Sequence, residues 1–548
     1  MRILHVAALG AVLLLTTSSL GGNGRKFYDD DPLLKEPETQ DASGAEPWDI
    51  PLFADLAINL LSQPGDPTPN VRAQNINTID EVPDSSWFTN RIGARPVSMA
   101  EAVRGPLTGT GPAPGAWSIV RAKEAGAAPG FTMRDSAGTT WFISLDARGY
   151  PEAATGAIMV ANKIFWTLGY WQVENHLVTL SPDDFGIDRG AMVTPPSGRR
   201  RAMRQSDVEA VLRRAHRGDD GRYRAVAARA LAGRPLGGFR YHGTRPDDPN
   251  DLVPHEHRRE LRALRVFGAW TNLVDMKAGN TLDVLVRENG RGIVRHYLQD
   301  VGSTFGTGAN APHHYDEGWE HLYEGDTLLK RFLSLGLYIR PWQTVGYTEH
   351  PAIGRFEGVA FDPTTWRPRV PSAAFLRARP DDDFWAARRV AAFSDDLIRA
   401  VVTAGGYTDP RAAALLADTL IQRRDRITHA FLTAVNPVMN VELTPSGALT
   451  FENAATIHAA VPAPPAGYVV QWSTFDNDTS LSTPIGESVG SSDGHSQAPV
   501  PLAPSAGDIV KVTISAITAS YPAWAVPVDA YFRWMGNAWA LVGFERLP

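Results

Sequence analysis

The chain of 548 residues contains no cysteine. That absence excludes disulfide frameworks, thiol nucleophiles, iron–sulfur clusters and thiolate zinc sites together. Long apolar runs are also missing beyond the N-terminus, where nothing approaches the ~18 uninterrupted apolar residues of a membrane-spanning helix. Neither sign of charge dominates: 53 Lys and Arg stand against 60 Asp and Glu, a net charge of −7, which argues against a general nucleic-acid binder. No fixed-period repeat occurs. What is present is ordinary globular usage, with 43% apolar and 21% charged residues, so disorder and coiled coil are poor global readings. Gly (49) and Pro (41) exceed average usage and promise many turns and long connections. At roughly 150 residues per domain, the length suggests two to four domains.

Arg2 precedes an apolar run from Ile3 to Leu15, broken only by His5, and small or polar residues follow from Thr16 to Gly22. This is the layout of a secretory signal over residues 1–22, and the run is short for a span. No Cys follows it, which excludes a lipid-anchored lipoprotein; an uncleaved N-terminal anchor is the alternative. The expected product is exported, periplasmic or extracellular, with no transmembrane span in the mature chain. Without cysteines in an oxidising compartment, the fold must rest on burial, which this length permits.

Residues 23–115 read as a linker and N-terminal extension. They comprise a polar stretch with Asp29-Asp30-Asp31, a short helix over Phe53–Leu61, an aromatic and polar loop containing Asp84–Arg91, and a Gly/Pro-rich boundary at 105–115. Strands are expected at 117–123, 131–134 and 140–145, then a helix over 155–168 ended by Gly169, then a strand at 173–180. The middle reads as helical. Ser206-Asp207-Val208-Glu209 has the form of a capping box, and Arg199–Arg201 that of a solvated loop. A long helix is expected over 256–274, a hairpin over 281–298, and further helices over 319–336, 382–404 and 411–434. The last opens on Thr408-Asp409-Pro410, a cap followed by proline at the first helical position. After Asn436 the pattern changes to short alternating strands, so residues 438–548 are expected to form a separate all-β sandwich. The fold class is α+β.

The strongest chemical constellation is Asp275-Met276-Lys277-Ala278-Gly279-Asn280, then the hairpin, then Asp300-Val301-Gly302. Phosphoryl transfer needs a carboxylate to take the proton of the attacking hydroxyl, a cation near the transferred phosphate, and oxygen ligands for a divalent metal. On this reading Asp275 is the base and Lys277 steadies the phosphate. Asn280 and Asp300 are the Mg²⁺ ligands, the latter returned beside the loop by the hairpin. The bland reading of Asp275, Asn280 and Asp300 is ordinary turn chemistry.

With these residues the chain resembles the protein-kinase-like superfamily, whose catalytic loop reads Asp-x-Lys-x-x-Asn and whose metal motif reads Asp-Phe-Gly. Leu273-Val274 stand where His-Arg would precede the catalytic Asp, and Val301 replaces the Phe. The match is closer to the atypical, HipA-type and lipid-kinase-like branches. The resemblance implies a two-lobed kinase-like domain over residues 116–436 with a helical C-lobe. It also implies Mg²⁺, ATP or another nucleotide as cofactors, and an acceptor that is a protein, lipid or small molecule. Kinases carry a Lys on the third strand paired with a Glu on the next helix; here Ser144 stands on that strand and the helix has no Glu. Lys123 or Lys163 would have to substitute as phosphate ligand, with Glu152 the nearest acid. Loss of both usual partners makes a catalytically inactive pseudokinase, acting as an envelope binding or scaffold protein, the alternative. The chain also resembles a set of exported bacterial proteins of no known activity, through Asp84–Arg91, Asp247–Asp251 and His255–Arg259.

Three other signals carry less. Gly486-Glu487-Ser488-Val489-Gly490 has the spacing of a hydrolase elbow but no helix after it. His255-Glu256-His257 lacks the i, i+4 spacing of a helical metal pair, and His313-His314 sits in a polar loop.

Overall fold

The structure is a computed structural model that describes residues 24–123, 127–195, 198–516 and 518–547. The expected secretory signal lies outside the described residues.

The N-terminal stretch expected to be a linker packs along the body instead. Phe27 inserts among Phe475, Ile509, Tyr531 and Val542 of the C-terminal strands, and Ala42 and Ala45 pack with Leu236 and Val294. Polar composition hid this, because the segment is held at a few small or aromatic points and by side chain–backbone hydrogen bonds, such as Ser86 N to Glu38 (2.7 Å). Helices α1 (Leu52–Leu61) and α2 (Met99–Arg104) follow.

Strands β1 (Ser118–Ala122), β2 (Gly130–Arg134) and β3 (Thr140–Leu145) form the antiparallel unit read from sequence. Their alternation is visible in β3, where Trp141, Ile143 and Leu145 are buried and Phe142 points outward. Helix α3 (Ala153–Leu168) comes next, then β4 (Asn175–Leu180). The buried Asp146 carboxylate fixes the start of α3 by accepting from Glu152 N (3.0 Å), Thr155 N (2.9 Å) and Thr155 Oγ1 (2.8 Å). The helix stops at Gly169, where φ is +132° and the Phe88 ring would meet any Cβ at 2.2 Å.

The middle is less helical than expected. It supplies β5 (Gly186–Val193), β6 (Arg201–Ala202), helix α4 (Gln205–Leu212), β7 (Tyr223–Arg229) and β8 (Arg234–Gly237). Strand β7 enters the main sheet, whose order is β4-β7-β3-β2-β1-β5-β6. Its Ala-rich sequence signals a helix locally, but pairing on both edges and burial decide the outcome. Helix α4 starts one residue before the expected capping box. Asp207 rather than Glu209 reaches back, accepting from Arg204 N (2.8 Å), and is gripped by both Arg201 guanidinium nitrogens (2.7 Å each). Arg201 is therefore paired rather than simply solvated.

Helix α5 (Arg259–Thr271) is followed by the hairpin of β9 (Leu282–Glu288) and β10 (Arg291–Tyr297), with β8 beside β9. Helix α6 is short (Gly325–Leu333), and after α7 (Ala373–Leu376) the single helix expected over 382–404 is two: α8 (Pro380–Ala391) and α9 (Asp395–Thr403). Ser394 breaks them by capping α9, its Oγ accepting from Leu397 N (3.2 Å). Helix α10 (Pro410–Leu432) begins as the sequence implies, with Asp409 accepting from Arg411 N (2.9 Å) and Pro410 in the first turn.

Beyond Asn436 the chain is β-rich. One antiparallel sheet joins β11 (Val438–Leu443), β12 (Ala448–Asn453) and β15 (His495–Gln497). A second has the order β14-β13-β16-β17-β18, comprising β13 (Tyr468–Phe475), β14 (Ser482–Gly490), β16 (Ile509–Ala516), β17 (Val528–Trp534) and β18 (Trp539–Arg546), and α11 (Ala454–His458) follows β12. Ser488 lies on β14, where its Oγ accepts from Trp472 Nε1 (2.8 Å), so the Gly-x-Ser-x-Gly spacing belongs to a strand. One buried cluster runs from α3, α5, α8 and α10 through Trp472, Trp524 and Phe544 of the β-rich part. A smaller one lies within the seven-stranded sheet and α4. Mixed α and β elements in several sheets are thus established. Among the described residues, no helix is long and apolar enough to cross a membrane.

Candidate functional site around Asp275

The loop after α5 is an alternating strip. Val274, Met276 and Ala278 are buried, while Asp275 and Lys277 between them face outward and are only partly covered. The apolar residues pin the loop to the core and the polar ones are presented from a fixed backbone. Asn272 turns the chain out of α5 in the left-handed region (φ +54°), and its Oδ1 accepts from Trp366 Nε1 (2.9 Å). At the far end Thr281 ties the loop to Phe239, donating from Oγ1 to Ala278 O (2.8 Å) and accepting from Phe239 N (2.8 Å).

Within the loop the predicted residues meet. Lys277 Nζ lies 2.9 and 2.8 Å from the two Asp275 carboxylate oxygens. Asn280 Nδ2 donates to Asp275 O (2.6 Å) and Asp275 Oδ2 (3.1 Å). The hairpin then returns the chain so that Asp300 N donates to Asn280 O (3.0 Å). Asp300 Oδ1 accepts from Gly302 N (3.0 Å). The glycine is needed there, since a Cβ would sit 2.8 Å from Ile158 Cγ1 of α3.

The four residues are therefore neighbours, joined directly or through the backbone. With the Asn280 amide nitrogen turned to Asp275, no hydrogen bond among the described residues occupies Asn280 Oδ1 or Asp300 Oδ2, and both are oxygens a cation could take. One amide and one carboxylate oxygen on adjoining backbone suit a hard ion such as Mg²⁺, which keeps several waters of its own. Among the described residues, no cluster of three or more His, Asp or Glu forms a conventional metal cage; an amide-plus-carboxylate pair is a sparser arrangement.

Of the candidate phosphate ligands, Lys123 belongs to this neighbourhood. It follows β1, its Nζ lies 3.5 Å from Ser144 Oγ, and it feels the Asp300 carboxylate. Surrounding protein pushes its pKa down, Asp300 draws it back up, and the net direction is down. The side chain still reaches solvent, as for an ammonium lining an accessible recess. Lys123 thus stands beside the residue that occupies the expected lysine position on the third strand. Lys163 does not join it: its ammonium donates to Arg104 O (3.1 Å), and burial lowers its pKa to about 8. Glu152 is engaged elsewhere, 3.6 Å from Arg224 and accepting from Thr408 N (3.0 Å).

Behind Asp275 lie groups that the sequence reading left out of the site. Burial raises the Tyr241 hydroxyl pKa, and the Asp275 charge adds to this. Burial pushes His313 down to about 3, keeping it neutral beside Ser303 Oγ (2.9 Å). Arg369 pairs with Glu317 (2.8 Å) and donates its backbone N–H to Val274 O (2.9 Å). Nothing in sequence linked Arg369 to Asp275; only the return of the chain does.

The segments Asp84–Arg91, Asp247–Asp251 and His255–Arg259 converge on the outer side of the same hairpin. Trp87 stacks on His296 of β10 with ring centroids 3.5 Å apart and meets His255 edge-on at 4.6 Å. His296 Nδ1 bonds Asp283 of β9 (2.7 Å), Asp283 pairs with buried Arg245 (3.1 Å), and His255 Nε2 bonds Asp251 (2.8 Å). His257 turns to Asp66 instead (3.1 Å), so the two histidines have separate partners. This brace holds the hairpin that sets Asp300 against Asn280.

The chain matches no family model, no curated protein and no solved structure.

Proposed function

We propose that this chain is an exported, atypical kinase-like protein that binds a nucleotide with Mg²⁺ between Lys123 and the Asp275–Asn280 loop and transfers a phosphoryl group to an acceptor. The observation that carries the reading is that Asp275, Lys277 and Asn280 share side-chain hydrogen bonds while the hairpin brings the Asp300 backbone to Asn280, with Lys123, just after β1, near enough to feel the Asp300 charge. The bond from Asp300 N to Asn280 O spans twenty residues and closes the foot of the hairpin, which is what sets Asp300 beside the loop.

Asp275 would accept the proton of the acceptor hydroxyl. Lys277, now paired to Asp275, would swing toward the transferred phosphate, and its removal would free the carboxylate to act as base. Lys123 would hold the inner phosphates. Asn280 and Asp300 would hold Mg²⁺, which when bound supplies positive charge to the phosphate oxygens. The chain's contribution is positioning: buried Val274, Met276 and Ala278 fix the loop so that the outward groups cost no reorganisation.

A second reading, a pseudokinase that binds without turnover, is favoured by one observation. Glu152 is taken by Arg224 and Thr408, and α3 has no Glu, so no helix carboxylate orients Lys123. Transfer of γ-labelled phosphate to water or acceptor, measured for the native chain and for Asp275→Asn, separates the two. Turnover that falls at least a hundredfold in the variant supports the kinase. Nucleotide binding with no turnover in either supports the pseudokinase, and no binding removes both.

A further inference from the structure

A surface helix of a globular protein turns its apolar stripe toward the core. Helix α6 does the reverse. Thr327 is its buried residue, while Leu328, Leu329, Phe332 and Leu333, which share one face, are between 50% and 78% exposed. The chain then turns through Leu335 and Gly336, both with positive φ. Leu335 stands 92% exposed, and Leu337 and Ile339 extend the same apolar surface. Single exposed apolar residues are normal, but a contiguous patch of this kind marks an interaction site.

The charges beside the patch say what covers it. Glu324, before α6, is paired with Arg367, and Asp326 stands in the first turn; from Thr327 to Trp342 there is no further acidic residue, whereas Lys330, Arg331 and Arg340 are basic, in a chain whose net charge is −7. Arg340 is neutralised by Glu320 (2.7 Å), leaving Lys330 and Arg331 exposed at the flanks of the leucines. Tyr323, Tyr338 and Trp342 flank the leucines in sequence, and the Tyr338 ring lies 5.8 Å from the Lys330 ammonium. A second copy of the chain is a poor occupant, because a two-fold contact sets a patch against itself and would bring these cations together. We propose that residues 327–342 dock the protein on an anionic lipid bilayer, with the leucine and phenylalanine side chains in the acyl boundary and Lys330 and Arg331 among the headgroups. Apolar insertion plus basic flanks is the physical signature of such an interfacial element. The patch is rooted in the body: Leu322 N donates to Arg369 O (2.8 Å), and Arg369 N to Val274 O (2.9 Å), next to Asp275. The inference does not depend on the kinase-like reading.

The absence of native cysteine makes the test specific. In the full chain, Leu335→Cys is labelled with an environment-sensitive fluorophore and titrated with vesicles of phosphatidylcholine alone or mixed with phosphatidylglycerol. Val489→Cys, on an exposed strand of the β-rich part (76% exposed), serves as the control site. The expected result is a blue shift at position 335 with the anionic vesicles, absent at position 489. Adding Lys330→Glu and Arg331→Glu should weaken binding at least tenfold, in line with roughly 1 kcal/mol per basic residue near the surface. No shift with anionic vesicles overturns the proposal, as does an equal response to both vesicle types. A shift that grows with protein concentration without lipid assigns the patch to a second copy and overturns it too.

Discussion

Asp300 and Lys123 are the residues on which the site depends most and the fold least. Asp300 is exposed, and among the described residues its side chain hydrogen-bonds within its own turn, to Gly302 N. Asp300→Ala should therefore change stability by no more than about 0.5 kcal/mol while removing the Mg²⁺ dependence of nucleotide binding, as read by calorimetry in the presence and absence of the ion. Lys123→Ala should weaken nucleotide binding with or without Mg²⁺. Asp383 offers a test of the buried electrostatics away from the site. Burial raises its carboxyl to about 6, partly opposed by Arg265 and reinforced by Asp382 and Asp381. Between pH 4 and 6 the folded chain thus holds a proton that the unfolded chain has lost, so this group makes stability fall as pH rises through that window. Asp383→Asn removes the effect. Its stability relative to the native chain should climb by on the order of 2–3 kcal/mol from pH 4 to pH 7 in denaturant titrations, and a flat difference would show that Asp383 is ionised throughout.

Two devices decide how the helices and the hairpin are held. The first is a buried latch between α5 and α8: Arg259 reaches Asp80 (2.9 Å), Asp381 (3.1 Å) and Asp382 (2.9 Å), and Arg262 shares Asp382 (2.9 Å). Removing Arg259 leaves Asp80, Asp381 and Asp382 with one arginine each, Arg72, Arg379 and Arg262, and takes the shared cation out of a buried cluster, so Arg259→Ala should cost about 3 kcal/mol by chemical denaturation. The second is the brace under β9 and β10. Trp87→Ala should destabilise the chain by about 3–5 kcal/mol; at temperatures where the variant is folded, it should also weaken Mg²⁺-nucleotide binding by releasing Asp300 from Asn280. The three strands β1–β3, helix α3, the hairpin and the opening of α10 were legible in sequence because each carries its signal locally, as alternation, periodicity or a cap. The Asp275–Asn280 and Asp300 groups were legible for the same reason, as a loop and hairpin of fixed length. What was not legible was non-local. Arg258, Arg259 and Arg262 look like the solvated side of an amphipathic helix until Glu36, Asp80 and Asp382 arrive from distant segments to neutralise them. Strand β7 looks helical until β3 and β4 pair with it. The choice of Lys123 over Lys163 depended on which way each side chain turns, and spacing does not encode that.

Across the whole molecule the change of character at Asn436 is one of secondary structure, not of core. Asn436 Nδ2 donates to Ile514 O (3.0 Å) and Val526 O (2.9 Å), and the Arg546 guanidinium lies 4.0 Å from the centre of the Phe384 ring on α8. Phe27 closes the β-rich part from the other end of the chain. A chain truncated after Asn436 exposes this shared apolar surface and should aggregate rather than fold, as read by light scattering. The claim that unites sheet, loop and hairpin is that they jointly bind a nucleotide. Isothermal titration of the full chain with ATP, with and without Mg²⁺, tests it most directly. The account predicts saturable binding that is strengthened by Mg²⁺ in the native chain and loses that strengthening in Asp300→Ala with its melting temperature unchanged. Absence of binding in the native chain, or Mg²⁺-strengthened binding that survives Asp300→Ala intact, would contradict it.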